Sequence, residues 1–145
     1  GRFFAHMEEI DLCWRMRLNG GTIVCIPEST AFHLGGATLN QGNPRKTFLN
    51  FRNNLLMLHK NLPEEEYRRV IFMRHILDFV AAMKFLISGD AANMKAIFRA
   101  TREFRKIKDE FTRTPQLHEG CRNTSTFSIL WQYYVKGKKV YGELP

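Results

Sequence analysis

The chain has 145 residues, 44% of them apolar, enough for one domain with a core of its own. Its net charge of +8 is uneven: residues 1–44 sum to −1 and the remainder to +9. Cys13, Cys25 and Cys121 are widely spaced and form no CxxC pair, which argues against a zinc site or a disulfide framework and reads as free thiols in a reducing cytoplasm. The most apolar stretch, residues 76–87, contains Asp78 and Lys84 and is far shorter than the roughly 20 residues of a membrane span.

Residues 3–15 read FFAHMEEIDLCWR. The spacing predicts a helix over 8–19, with Glu8, Glu9 and Asp11 in its first turn, where carboxylates complement the helix dipole. Asp11 and Arg15 stand four apart, suited to an ion pair, and Asn19-Gly20-Gly21 stops the helix. Residues 22–26 (TIVCI) are β-branched and predict a strand ended by Pro27, with a second short strand at 30–33. Residues 34–44 hold three glycines and a proline and read as a loop.

From Pro44 onward the character changes. One helix covers 46–61. A second starts with Pro63 at a first helical position, ahead of Glu64, Glu65 and Glu66, and runs to about 88. Its expected apolar positions are Val70, Ile71, Met73, Ile76, Leu77, Val80, Met83 and Ile87. Gly89 ends it, and Asp90 caps a third helix to about 112, apolar at Met94, Ile97, Phe98, Phe104 and Phe111. The opposite face carries Lys95, Arg99, Arg102, Arg105, Lys106 and Lys108. Residues 113–126 are polar and turn-rich; 127–135 (FSILWQYYV) precede a basic 136–139. The expected class is α+β, mainly α.

Three constellations can carry chemistry. A carboxylate of Glu8, Glu9 or Asp11 held beside a hydroxyl can take its proton as the oxygen attacks, although a helix start decorated with acids is the simpler reading of the tripeptide alone. His33 at a strand end can ligate a divalent metal or contact a phosphate, and Gly35-Gly36 lets backbone approach an anion, against the plainer reading of a satisfied polar histidine. Arg52-Asn53 lies inside a helix and can reach a substrate phosphate or bridge neighbouring elements. The basic amphipathic helix suits an anionic membrane surface or ordinary packing. No helix-turn-helix, finger or RNA-binding motif appears, so nucleic acid is not an expected partner.

The order of these signals is more specific than any one of them. FFAHMEEIDLCWRMRLNGGTIVCIPESTAFHLGGATL, followed by KTFLNFRNNLLML, resembles the C-terminal half of the catalytic domain of family 2, GT-A-type glycosyltransferases, over about residues 3–60. That family shows Phe-Phe, then Glu-Asp-x-Asp-Leu-x-x-Arg, a helix, a strand ending in Pro, a His with glycines, and an Arg-Asn pair. The helices over 63–112 and the tail resemble, more weakly, the C-terminal extension of membrane-associated bacterial members.

The resemblance implies that Glu9 is the catalytic base, in a place where the family more often has Asp. It implies that Glu8 helps position the acceptor and that Asp11 orients the helix or pairs with Arg15. It puts His33 near the donor diphosphate and a divalent metal, Mg or Mn, with Gly35, Gly36, Arg52 and Asn53 on the substrate side. The family's nucleotide-binding half and its Asp-x-Asp motif have no counterpart here, so the chain is expected to be a fragment, inactive alone. Residues 1–44 would be the acceptor-side remnant of the catalytic domain, one helix and one or two short strands. Residues 45–145 would be a helical, basic C-terminal extension. The expected activity of the parent is inverting transfer of a sugar from a nucleotide-sugar donor to a glycan or lipid-linked acceptor in cell-surface polysaccharide synthesis. The expected place is cytoplasmic, peripheral to the inner face of the cytoplasmic membrane, with self-association through exposed apolar surface. The alternative is a non-enzymatic basic module that binds an anionic membrane or a partner protein.

Overall fold

The computed structural model describes residues 3–32, 42–114 and 128–144. Among them the chain is mainly helical. Helix α1 spans Glu8–Leu18, α2 Pro44–Asn61, α3 Glu64–Ile87, α4 Ala91–Ile107 and α5 Ile129–Tyr134, with 3-10 turns at Lys108–Glu110 and Tyr141–Glu143. Asp90 caps its helix as expected, and the 46–61 helix starts two residues earlier, at Pro44. The Asn43 side chain accepts the Arg45 backbone N–H at 2.8 Å ahead of Pro44, and Asp90 accepts that of Asn93 at 3.0 Å. Gly21 is needed where α1 stops, because a Cβ there would lie 2.9 Å from the Met16 carbonyl oxygen. The third expected helix ends earlier than 112, at Ile107, and tightens into the 3-10 turn.

The expected strands do not form among the described residues. Residues 22–26 and 30–32 are irregular chain, and every residue from Asn19 to Phe32 is exposed. A strand is held by the ladder of its neighbour, and the described residues contain no second strand to supply one. β-branched composition without a partner leaves Val24 at 71% and Ile26 at 60% exposure.

Helix α4 packs chiefly on α2 and next on α3, and α1 rests on α2. The contact face of α4 is Asn93, Ala96, Ile97, Ala100 and Phe104, a buried stripe at helical spacing whose two alanines admit a close neighbour. Leu55 and Leu56 of α2 are fully buried and gather Phe3, Met57 and Phe104, with Met7, Trp14, Ile71 and Phe111 at the edge. Phe3 stacks on Phe111 with ring centres 6.1 Å apart. Arg113 closes the α2–α3 junction: it donates to the Leu62 carbonyl at 2.6 Å, pairs with Glu64 at 2.6 Å and lies over the Tyr67 ring.

Helix α3 departs from the expected pattern: Val70, Ile71 and Met83 are half-buried, but the other expected positions are not. Its buried residues are Asp78 and Ala82, while Met73, Ile76, Leu77, Val80 and Ile87 are exposed, with Phe72, Phe79 and Leu86 beside them. The helix is apolar nearly all round, so periodicity did not single out a contact face. Asp78 meets Arg74 at 2.7 Å on the same helix. Burial pushes its pKa from 3.8 up to about 6, opposed by the Arg74 charge.

The two buried aspartates give opposite pH slopes. Between 3.8 and about 6 the folded chain keeps a proton on Asp78 that the unfolded chain has released, so this group makes stability fall as pH rises through that window. Asp11 is also pushed upward by burial, but hydrogen bonds from Lys60, Asn61 and Arg15 outweigh this and leave its pKa lowered. Its stabilisation is present above the usual aspartate range and is lost as pH falls below it. We predict that Asp78→Asn flattens the decline between 3.8 and about 6 in urea midpoints, whereas Asp11→Asn flattens the loss on the acid side.

Candidate functional site

The acids of α1 are set by the turn before them. Phe4, His6 and Met7 take left-handed backbone angles, with φ of 66°, 70° and 70°. Each such non-glycine residue costs on the order of 1–2 kcal/mol. This turn swings the carbonyls of Phe3, Ala5 and His6 toward one point, and the Asn53 side chain of α2 occupies it. The Asn53 amide donates to Phe3 O at 2.9 Å, Ala5 O at 2.8 Å and His6 O at 3.0 Å. Two N–H groups serve three carbonyls, so one is shared. The Oδ1 of Asn53 accepts from Arg52 Nε at 3.0 Å and Nη2 at 2.8 Å. Asn53 is fully buried and its polar capacity is used throughout.

Beyond this turn the three acids separate. Glu8 and Glu9 are exposed at the start of α1, whose N-cap Met7 supplies no side-chain cap. Asp11, one helical step on, is 3% exposed and committed inside the protein. It accepts from Lys60 Nζ at 2.7 Å, Asn61 Nδ2 at 2.7 Å and Arg15 Nε at 3.0 Å. The expected Asp11–Arg15 pair therefore forms, as part of a larger network. Asn61 Oδ1 accepts in turn from Thr114 Oγ1 at 2.8 Å, which ties the chain after α4 to the same point. Asn53, Met57 and Asn61 stand four residues apart on one face of α2, and that face holds α1 and its leading turn in place.

Arg52 is half-buried with its guanidinium 5.2 Å above the Phe48 ring. Burial draws its pKa below the usual arginine range, opposed by Glu103. Sequence reasoning thus found Arg52 and Asn53 but missed Lys60, Asn61 and Thr114. Their signal was present: asparagines on the buried face of an amphipathic helix break the apolar pattern. His33, Gly35 and Gly36 lie outside the described residues. Among the described residues no three His, Cys, Asp or Glu side chains gather to hold a metal, so the metal implied by the resemblance finds no donor set there.

Two outcomes test the turn. His6→Gly should be neutral or stabilise by about 1 kcal/mol, because glycine adopts φ near 70° without strain, whereas Leu12→Gly within α1 should destabilise by about 1 kcal/mol. Asn53→Ala should destabilise by roughly 2–4 kcal/mol in urea titration and open residues 3–7 to proteolysis, since three carbonyls lose their donor. Compared with protein-family models, with curated proteins and with solved structures, the chain finds no match in any of the three.

Proposed function

We propose that the chain is the acceptor-side part of an inverting, family 2-like glycosyltransferase, in which Glu9 is the base. The observation that carries this reading is the strained turn at Phe4–Met7, locked by a buried asparagine immediately before two exposed glutamates. Backbone strain of this kind persists where the surroundings over-determine it, and such positions cluster at functional sites. The division among the acids fits as well. Asp11 is consumed by Lys60, Asn61 and Arg15, which leaves Glu8 and Glu9 to face a substrate.

In the assembled enzyme Glu9 takes the proton of an acceptor hydroxyl as its oxygen attacks the anomeric carbon of a nucleotide-activated sugar. The bond from that carbon to the diphosphate oxygen breaks and configuration inverts. Glu8 orients the acceptor. Asn53 is a positioning residue: it fixes the turn that aims α1. The exposed segment Asn19–Phe32, with Ile23, Val24 and Ile26 open, supports a surface that a nucleotide-binding half covers.

A second reading is favoured by α3. Phe72, Met73, Ile76, Phe79, Val80 and Leu86 are exposed, with Arg68, Arg69 and Lys84 exposed on the same helix. No helix among the described residues is long and apolar enough to cross a membrane. An apolar face bordered by cations suits the surface of an anionic bilayer, which serves either a peripheral transferase or a non-enzymatic module.

The two readings part on turnover. Glu9→Gln in the chain joined to its nucleotide-binding half should lower kcat by about a hundredfold or more and leave donor binding unchanged. Turnover that survives this change removes Glu9 as the base. Flotation with anionic vesicles, weakened by salt and by Phe72→Ser with Phe79→Ser, tests the membrane face; flotation indifferent to both changes speaks against it.

A further inference from the structure

A cleft of about 550 Å³ opens beside the locked turn, between the first half of α2 and the middle of α4. Its walls hold three guanidiniums and two phenyl rings: Arg45, Arg52, Arg99, Phe48 and Phe4. The rings fix the charges in place. Arg45 lies 5.1 Å above Phe4, and Arg52 and Arg99 lie 5.2 Å and 5.4 Å from the Phe48 centre. Among the described residues no carboxylate lines the cleft, and Glu103 of α4 acts on Arg52 from outside it.

Like charges gathered around one hollow repel one another, and stacking on rings lowers their mobility. Guanidiniums preorganised in this way match the forked geometry of a phosphate better than ammonium groups do. Two of the three, Arg45 and Arg99, are exposed, so their donors reach solvent. Arg52 is anchored by its bonds to the Asn53 Oδ1 and acts as a fixed positive charge at the back.

We propose that this cleft binds a phosphate or diphosphate group, gripped by Arg45 and Arg99 with Arg52 behind them. It deepens the reading above by giving Arg52 a ligand class, and it rests on that reading only for the ligand's place in a reaction. The same anchor links the cleft to the acids. A ligand that draws on Arg52 pulls on the Asn53 amide, whose other end holds the Phe3, Ala5 and His6 carbonyls ahead of Glu8 and Glu9. The group belongs either to a soluble phosphate compound or to a lipid headgroup.

The test uses the isolated chain and inorganic pyrophosphate, followed by calorimetry and by NMR of the arginine Nε–H and Asn53 amide signals. Pyrophosphate should shift the Arg45, Arg99 and Asn53 signals together. Arg45→Ala and Arg99→Ala should each weaken binding about tenfold, the effect of one charge-assisted bond, with circular dichroism unchanged. Lys95→Ala, outside the cleft on the exposed side of α4, should leave affinity within about twofold. A parallel arm uses vesicles of phosphatidylcholine with and without phosphatidic acid. Vesicle binding that needs phosphatidic acid, is displaced by pyrophosphate and is lost in Arg99→Ala assigns a lipid headgroup; pyrophosphate binding without vesicle binding assigns a soluble ligand. Binding of neither, or binding equally sensitive to Lys95 as to Arg45 and Arg99, overturns the proposal. Because Glu9 is untouched throughout, failure here leaves the base assignment standing, and loss of that assignment leaves the anion site standing.

Discussion

One buried amide constrains the rest of this structure. Asn53 presents two N–H groups to three converging carbonyls and one oxygen to a guanidinium, with no exposure to water. An unpaired amide at that depth would destabilise the fold by on the order of 1–3 kcal/mol, so the turn and α2 require each other. The left-handed residues at 4, 6 and 7 would relax if the amide were absent, because nothing local favours such angles outside glycine. The direction of α1, and so the placing of Glu8 and Glu9, follows from a side chain about fifty positions later in the chain.

The same helix carries a second polar anchor two turns on. Asn61 bonds Asp11 of α1 and Thr114 of the chain beyond α4, and Lys60 adds its charge to Asp11. A third asparagine, Asn93 of α4, bonds Thr47 and the Gly42 carbonyl, which joins α4 to the start of α2. Hydrophobic burial is indifferent to register, whereas each of these amides accepts only a narrow geometry. The packing of α2 against α1 and α4 is therefore specified by hydrogen bonds laid over a leucine and phenylalanine core.

Polar groups buried in α1, α2 and α4 contrast with apolar groups left open on α3 and between α1 and α2. Ile76, Phe79 and Val80 face outward while Asp78 on the same helix is buried. Contiguous exposed apolar residues of this kind are the surface on which the proposed partners would sit. The basic face of α4 and the guanidiniums of the cleft give the molecule anion-facing surfaces as well. The surfaces proposed for a bilayer, for a nucleotide-binding half and for a phosphate group are thus separate.

The helices and several of their ends were legible in the sequence because the signals are local: Asp90, Gly89 and the Asp11–Arg15 spacing each act within one turn. The acids were legible as a cluster and Arg52-Asn53 as a pair, but which acid is buried was not. Glu8, Glu9 and Asp11 are chemically alike; only the arrival of Lys60 and Asn61 from α2 distinguishes Asp11. The strand reading failed for the complementary reason: residues 22–26 have strand composition, yet a ladder is a property of two segments. Likewise Arg45, Phe48 and Arg52 fall on one strip of α2 by spacing alone, while Arg99 joins them only because α4 packs across α2. Local sequence signals set where this chain turns helical and where its charge lies. Which polar side chains meet follows from the packing of the helices, because burial and long-range hydrogen bonds depend on neighbours that no local pattern encodes.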